Sequence, residues 1–174
     1  MEKLILLLIF VSSIKSIGQH NCNFKIDEAK ILNNKNLDFF LNRFDTSSFE
    51  IVNEIKYIPP HIYEELKCLN GEFTMANPNE KFRDSDIIEN EKLPSRGLIF
   101  FAQNENTLIL YYGMSIGSGI TSKFLFVDYD SKKINDIWIG NGIGKGNFQT
   151  LEAIKNHITF YREKPFFQTG IVNF

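Results

Sequence analysis

Residues 97–103 read GLIFFAQ, and three similar apolar segments follow: TLILYYG at 107–113, SKFLFVDY at 122–129 and INDIWIG at 134–140. Each segment is rich in β-branched and aromatic residues and is bounded by turn-forming residues, a pattern typical of β-strands. The connections are shorter than the roughly dozen residues that a parallel crossover needs. The sequence therefore predicts an antiparallel β-meander of four strands.

The predicted strands are apolar on both faces. In the second segment, the even-numbered side chains are Leu108, Leu110 and Tyr112. The odd-numbered ones, Ile109 and Tyr111, are apolar as well. An antiparallel sheet with one face in water would alternate apolar and polar residues instead. Both faces must therefore be covered. We predict the C-terminal helix on one face and mainly the N-terminal helices on the other, for which the 77–96 connection, a second subunit or a ligand is the alternative cover.

Helical periodicity predicts what covers them. After an Asn147 cap, apolar residues recur at helical spacing: Phe148, Leu151, Ile154, Ile158 and Tyr161. Helices are also predicted at 36–44 and from Pro59-Pro60 to the stop at Gly71. Residues 49–58 fit neither period, and 171–174 can add an edge strand. The predicted fold class is α+β, a meander of four to five strands packed with N-terminal helices and a C-terminal helix.

The first residues predict export. A charged start at 1–3 precedes the apolar run 4–11, and Ser16 and Gly18 provide the small residues of a cleavage site. The run is shorter than the roughly 20 apolar residues of a membrane span, and Cys22 lacks a lipobox. We expect a signal peptide at 1–18 and a single mature α+β domain at 19–174, periplasmic or secreted, with no membrane insertion after cleavage.

Composition narrows the class of protein. Hydrophobic residues make up 43% of the chain and Phe alone numbers 17, so there is enough material for a core and a disordered chain is excluded. The formal net charge is −2, with no basic stripe. A nucleic-acid partner is therefore not expected. The abundance of Ile, Asn, Lys and Phe is typical of AT-rich codons and indicates a bacterial source.

The two cysteines, Cys22 and Cys68, both lie in the predicted mature part. Cysteines in an oxidising compartment pair by default. We therefore predict a disulfide that holds the mature N-terminus against the helix carrying Cys68. The alternative is a buried thiol at Cys68 with a frayed Cys22.

Several segments resemble chemical sites without meeting their requirements. In the glycine cluster at 140–146, Lys145 is followed by glycine instead of the Ser or Thr of a phosphate loop. The acidic run at 84–91 has Ile and Glu where a calcium loop needs an oxygen ligand and then glycine. His20, His61 and His157 show no metal-binding or catalytic spacing. No catalytic residue, metal or cofactor is predicted.

Aromatic residues beside the turns can form a binding surface. Tyr111, Tyr112 and Trp138, with Ser115 and Ser118 of the 114–121 hairpin, are the predicted partner-binding residues. We expect an apolar groove for the partner near Tyr112, Trp138 and this hairpin. Ordinary sheet packing is the alternative for the three rings, and a flexible loop is the alternative for the serines.

The resulting function hypothesis is a non-catalytic exported protein, of inhibitor or immunity type, that binds a macromolecular partner such as a protein. One alternative is an unfamiliar secreted hydrolase that uses residues of the 77–96 connection. Another is a carrier of a small hydrophobic ligand between sheet and helices.

Overall fold

The computed structural model describes residues 22–85, 92–116, 119–142, 146, 148–168 and 174. The predicted leader, its cleavage site and most of the predicted edge strand at 171–174 lie outside this part of the chain. Among the residues described, no helix is both long and apolar enough to cross a membrane.

The strands form one sheet, and the predicted meander is its centre. The strands are β1 (Glu50–Ile51), β2 (Met75–Ala76), β3 (Arg96–Gln103), β4 (Thr107–Ile116), β5 (Gly119–Tyr129) and β6 (Ile134–Asn141). Their order is β1-β3-β4-β5-β6, and every pairing along this path is antiparallel. The short β2 pairs in parallel with the start of β3. The predicted α+β fold class is confirmed.

Two pairs of helices flank the sheet, together with short 3₁₀ turns at Ile55–Tyr57 and Pro165–Gln168. The helices are α1 (Glu28–Leu32), α2 (Leu37–Thr46), α3 (Pro60–Asn70) and α4 (Leu151–Tyr161). As predicted, α3 has proline in its first turn and Gly71, at φ +63°, at its end. The cap of α4 differs from the prediction: Thr150 Oγ1 accepts from Ala153 N at 3.2 Å, so Phe148 precedes the helix.

Residues 49–58, which fit neither period, divide between β1 and a 3₁₀ turn. Asn53 interrupts the extended chain because its φ is +47°, a conformation that Asn tolerates better than most residues. Its side-chain Oδ1 then accepts from Phe101 N at 2.7 Å. This side-chain contact continues the pairing of β3 where the backbone of β1 has ended.

One face of the sheet packs against α3, and we call it the α3 face. Ile62 and Leu66 of α3 and Ile31 of α1 are buried there. Phe73, which follows α3, and Phe174 complete this layer. As predicted, N-terminal helices cover one face of the sheet.

The opposite face, here the α4 face, packs against both α2 and α4. Phe40 of α2 and Ile154 and Ile158 of α4 have no exposed surface. The predicted cover of this face was α4 alone, but one N-terminal helix lies beside it. Two ion pairs join these helices: Arg162 to Asp38 at 2.6 Å and Lys155 to Asp45 at 2.5 Å.

The free edge of β6 is closed by side chains. The Ile137 carbonyl accepts from Asn36 Nδ2 at 2.9 Å, and the Ile139 carbonyl accepts from Gln168 Nε2 at 2.8 Å. The Ile137 amide donates to Asp136 Oδ1 at 2.9 Å. An edge whose backbone groups are already bonded is a poor template for another strand.

The predicted Cys22–Cys68 disulfide is present, with the two Cα atoms 5.7 Å apart and a sequence separation of 46. A second contact lies one turn earlier on α3. There Glu65, only 9% exposed, accepts from Phe24 N at 2.7 Å and from Asn23 Nδ2 at 3.2 Å. The segment that follows Cys22 is therefore held to α3 by a covalent bond and by a buried carboxylate.

Replacing both cysteines, as Cys22→Ser with Cys68→Ser, should lower the free energy of unfolding by about 4 kcal/mol, because the unfolded chain regains the freedom that the loop removes. Urea unfolding followed by circular dichroism measures the change. Reduced wild-type protein is the control and should match the double variant. Equal stability of the oxidised wild type and the double variant would contradict a stabilising role for the bond.

Candidate binding surface

The three predicted binding aromatics lie in the core. Tyr111, Tyr112 and Trp138 each have 0% exposed surface. Tyr111 and Trp138 belong to the α4 face, whereas Tyr112 points to the α3 face. The open groove expected beside them is therefore not found at these rings. The reason is that helices cover both sides of the strands that carry them.

The polar atom of each buried aromatic side chain has a different environment. Trp138 Nε1 donates to Asn34 Oδ1 at 3.0 Å. The Tyr111 hydroxyl lies 2.8 Å from Ser122 Oγ and accepts from Gly146 N at 3.1 Å. Burial raises the pKa of Tyr112 to about 12. These environments are those of structural residues.

The predicted hairpin extends beyond the rest of the sheet. Pairing of β4 with β5 continues to Ser115↔Ile120 and Ile116↔Gly119, past the position where β3 begins. Ser115 is half-buried and Ile116 is 59% exposed. Ser118 lies outside the described residues. A partner-binding role for the two serines stays a prediction.

The glycine-rich connection has a packing explanation at Gly142. Its amide donates to the Ser122 carbonyl at 2.7 Å. A Cβ at this position would lie 2.2 Å from Ser122 Oγ and 2.8 Å from Tyr111 Cε2. Only glycine fits such an approach. Residues 143–145 and 147 lie outside the part that the structure describes.

The described residues of the other candidate segments show no metal site. Across the described ranges, no three His, Cys, Asp or Glu side chains are placed to hold a metal ion. His61 Nε2 lies 3.0 Å from the Asp130 carbonyl at the surface, and His157 packs among aromatic rings. His20 and most of the acidic run at 84–91 lie outside the described residues.

The 77–96 connection borders two open depressions. One, of about 430 Å³, lies between residues 77–82 and the strands at Gly97 and Gly113. The other, of about 550 Å³, is lined by Arg83, whose Nη2 pairs with Glu72 at 2.9 Å. The positive charge that Arg83 brings to the second depression is therefore already paired with the Glu72 carboxylate.

An exposed aromatic surface lies at the end of α4, and the sequence pattern did not predict it. It consists of Phe160, which is 69% exposed, the half-buried Tyr161, and Phe166, which is 42% exposed. The ring centroids of Phe160 and Tyr161 are 4.7 Å apart, and those of Tyr161 and Phe166 are 5.9 Å apart. One signal was available: Phe160 is out of phase with the apolar stripe of its helix.

The aromatic surface has a packed base, formed by rings that connect it to the core. The Tyr161 ring lies 4.6 Å from the His157 ring, which lies 4.9 Å from Phe148 and 5.6 Å from Phe124 of the core. The Phe166 carbonyl accepts from Asn141 Nδ2 at 3.0 Å. Because these contacts hold the Tyr161 ring against the core before a partner binds, less entropy is lost when that ring enters an interface.

No protein family model matches the chain, and no curated protein or solved structure is detectably similar to it. The case for a function therefore depends on the residues of this chain.

His157 should make stability depend on pH. Burial lowers its pKa from the ordinary value of about 6.5. As pH falls below that value, the unfolded state takes up the proton more readily than the folded state, so stability present at neutral pH is lost. His157→Phe should unfold with a weaker dependence on pH between about 7.5 and 5.

Urea midpoints across this range, compared between wild type and variant, measure the effect. His61→Gln is the matched control because His61 is exposed, and it should keep the wild-type pH dependence. The same pH dependence in wild type and His157→Phe would contradict the assignment.

Proposed function

We propose that this chain is an exported, non-catalytic binding domain of inhibitor or immunity type, and that its aromatic surface contacts an apolar patch on a protein partner. The observation that carries the proposal is the grouping of Phe160, Tyr161 and Phe166, with Phe160 the most exposed large hydrophobic side chain of the described residues. Single exposed apolar residues are ordinary. Adjacent aromatic rings on a packed base are typical of interaction sites.

Aromatic rings suit this role energetically. They bury a large area and lose little side-chain entropy when they are fixed. A few such anchors commonly supply most of the binding energy of an interface, with losses of about 2 kcal/mol or more when one is truncated.

The surroundings match the usual plan of an interface, in which a polar rim surrounds an apolar centre. Glu163 and Lys164 are exposed and lie two and three residues after Tyr161 in the chain. Arg162 is held to Asp38 by the ion pair between α4 and α2. The aromatic surface is thus bordered by both signs of charge, which favours a protein partner over a strongly charged polymer.

Export is supported by the disulfide, because such bonds persist mainly in oxidising compartments. If export occurs as proposed, the mature protein begins at Gln19. Intact-mass measurement of protein purified from the periplasmic or secreted fraction should give the mass of 19–174. A mass that retains residues 1–18 would contradict processing at this position.

The binding role can be tested with exposed-residue variants. Phe160→Ser should leave the melting temperature nearly unchanged, because the ring is mostly in water, and should weaken partner binding at least about tenfold, equivalent to about 1.4 kcal/mol. Immobilised mature protein is incubated with the exported fraction of the source cells, and retained proteins are quantified by mass spectrometry. Affinity for the recovered partner is then measured with purified components.

Two variants make the comparison specific. Phe39→Ser alters an aromatic residue that is 45% exposed on α2 and should bind like wild type. Ile116→Ser alters the tip of the β4–β5 hairpin. Loss of the partner with Ile116→Ser but not with Phe160→Ser would contradict the aromatic surface and favour the hairpin.

A further inference from the structure

A buried cation lies on the α3 face, away from the aromatic surface. Arg96, the first residue of β3, is only 4% exposed. Its guanidinium carbon is 4.7 Å from the centre of the Phe73 ring and 5.9 Å from that of Tyr112. Its Nη1 donates to the Glu72 carbonyl and to Ser95 Oγ, both at 2.6 Å. These contacts fix the position of the charge between two aromatic rings.

Phe174 is held at this position in two ways. Its ring is 1% exposed and lies 6.0 Å from the Phe73 ring. Its main-chain oxygen accepts a hydrogen bond from Arg96 Nη2. The surroundings therefore contact both features of a phenylalanine residue, the apolar ring and the oxygen acceptor beyond it.

The pocket retains polar capacity that Phe174 does not use. Within the described residues, neither Arg96 Nε nor the fully buried Tyr112 hydroxyl makes a hydrogen bond of ordinary geometry, although the nearby Arg96 guanidinium offsets part of the rise in the pKa of Tyr112. Leaving buried polar groups without partners costs free energy. Lys123 lies opposite Tyr112 in the β4–β5 ladder, so a second cation points to the same side of the sheet. Both observations favour an occupant with a carboxylate.

We propose that Phe73, Arg96 and Tyr112 form a recognition site for an aromatic residue bearing a carboxylate or carbonyl oxygen, and that Phe174 occupies this site in cis. Recognition depends on noncovalent contacts to the ring and the oxygen, so it does not require the occupant to be joined to this chain. A peptide or a small aromatic acid with the same spacing between ring and oxygen can take the position of Phe174.

The test uses the full chain without Phe174. The probe is 3-phenylpropanoate, in which two carbons separate the ring from the carboxylate as they separate the ring of a phenylalanine residue from its carbonyl carbon. It should bind saturably and raise the melting temperature. Toluene, which lacks the carboxylate, should bind roughly tenfold or more weakly, because a hydrogen bond to a charged group is lost. Isothermal titration calorimetry and thermal unfolding give the two readouts.

Two further ligands and one variant define the specificity. Propanoate, which lacks the ring, should not bind detectably at the same concentrations. A peptide with the sequence of residues 170–174, GIVNF, should compete with 3-phenylpropanoate if the site recognises a chain segment, whereas absence of competition would restrict the site to small aromatic acids. Phe167→Ala is the matched control, because it removes an equally buried ring from the α4 face, and it should not prefer 3-phenylpropanoate to toluene.

Wild-type protein, whose site is filled, should not bind the probe saturably. If the chain without Phe174 is unfolded by itself, saturating 3-phenylpropanoate should refold it. The proposal is overturned if the probe neither binds nor refolds that variant, or if toluene binds as tightly as 3-phenylpropanoate. These outcomes do not involve Phe160, so they are separate from those that test the proposed function.

Discussion

The sheet of β3–β6 has no polar face, and the positions of the other elements follow from that constraint. Each apolar face must be removed from water, because the burial of apolar surface is the main favourable contribution to folding. One face receives α1 and α3 together with Phe73 and Phe174. The other receives α2, α4 and Phe167. Segments from before and after the meander take part in both layers, so the sheet and its covers stabilise one another and neither is expected to persist alone.

With both faces covered, the backbone groups at the edges of the sheet still need hydrogen-bond partners. At β6 this is done by amide side chains: Asn36, which is 3% exposed, and Gln168 bond the outward carbonyls. Asn34 Oδ1 accepts from both Trp138 Nε1 and Gln168 Nε2, at 3.0 Å each. This network of amide side chains holds β6 in register with the flanking turns. It explains why the turn between α1 and α2 and the turn after α4 meet at the same strand.

The meander, the α+β class and the disulfide followed from the sequence, because apolar runs rich in β-branched and aromatic residues, short connections and the number of cysteines can be read directly from it. The placement of single aromatics did not follow. Tyr112 and Phe160 are both aromatic residues of regular elements, yet one is fully buried and the other is 69% exposed. Periodicity assigns a side chain to a face, but only tertiary packing determines whether that face is covered there. The cap at Thr150 was missed for a related reason, since Asn147 is an equally good capping residue by type.

The double-faced core also determines how the two proposed sites relate. The aromatic surface lies at the outer end of α4 and packs through His157 onto Phe124 of one face, whereas the site formed by Phe73, Arg96 and Tyr112 lies against the other face. Neighbouring side chains of a strand point to opposite faces, so Tyr111 and Tyr112 belong to different layers although they are adjacent in sequence. Free-energy changes at two sites that share no contacts are usually additive. A partner on α4 and an occupant beside Arg96 should therefore bind independently, unless either one shifts the strands themselves.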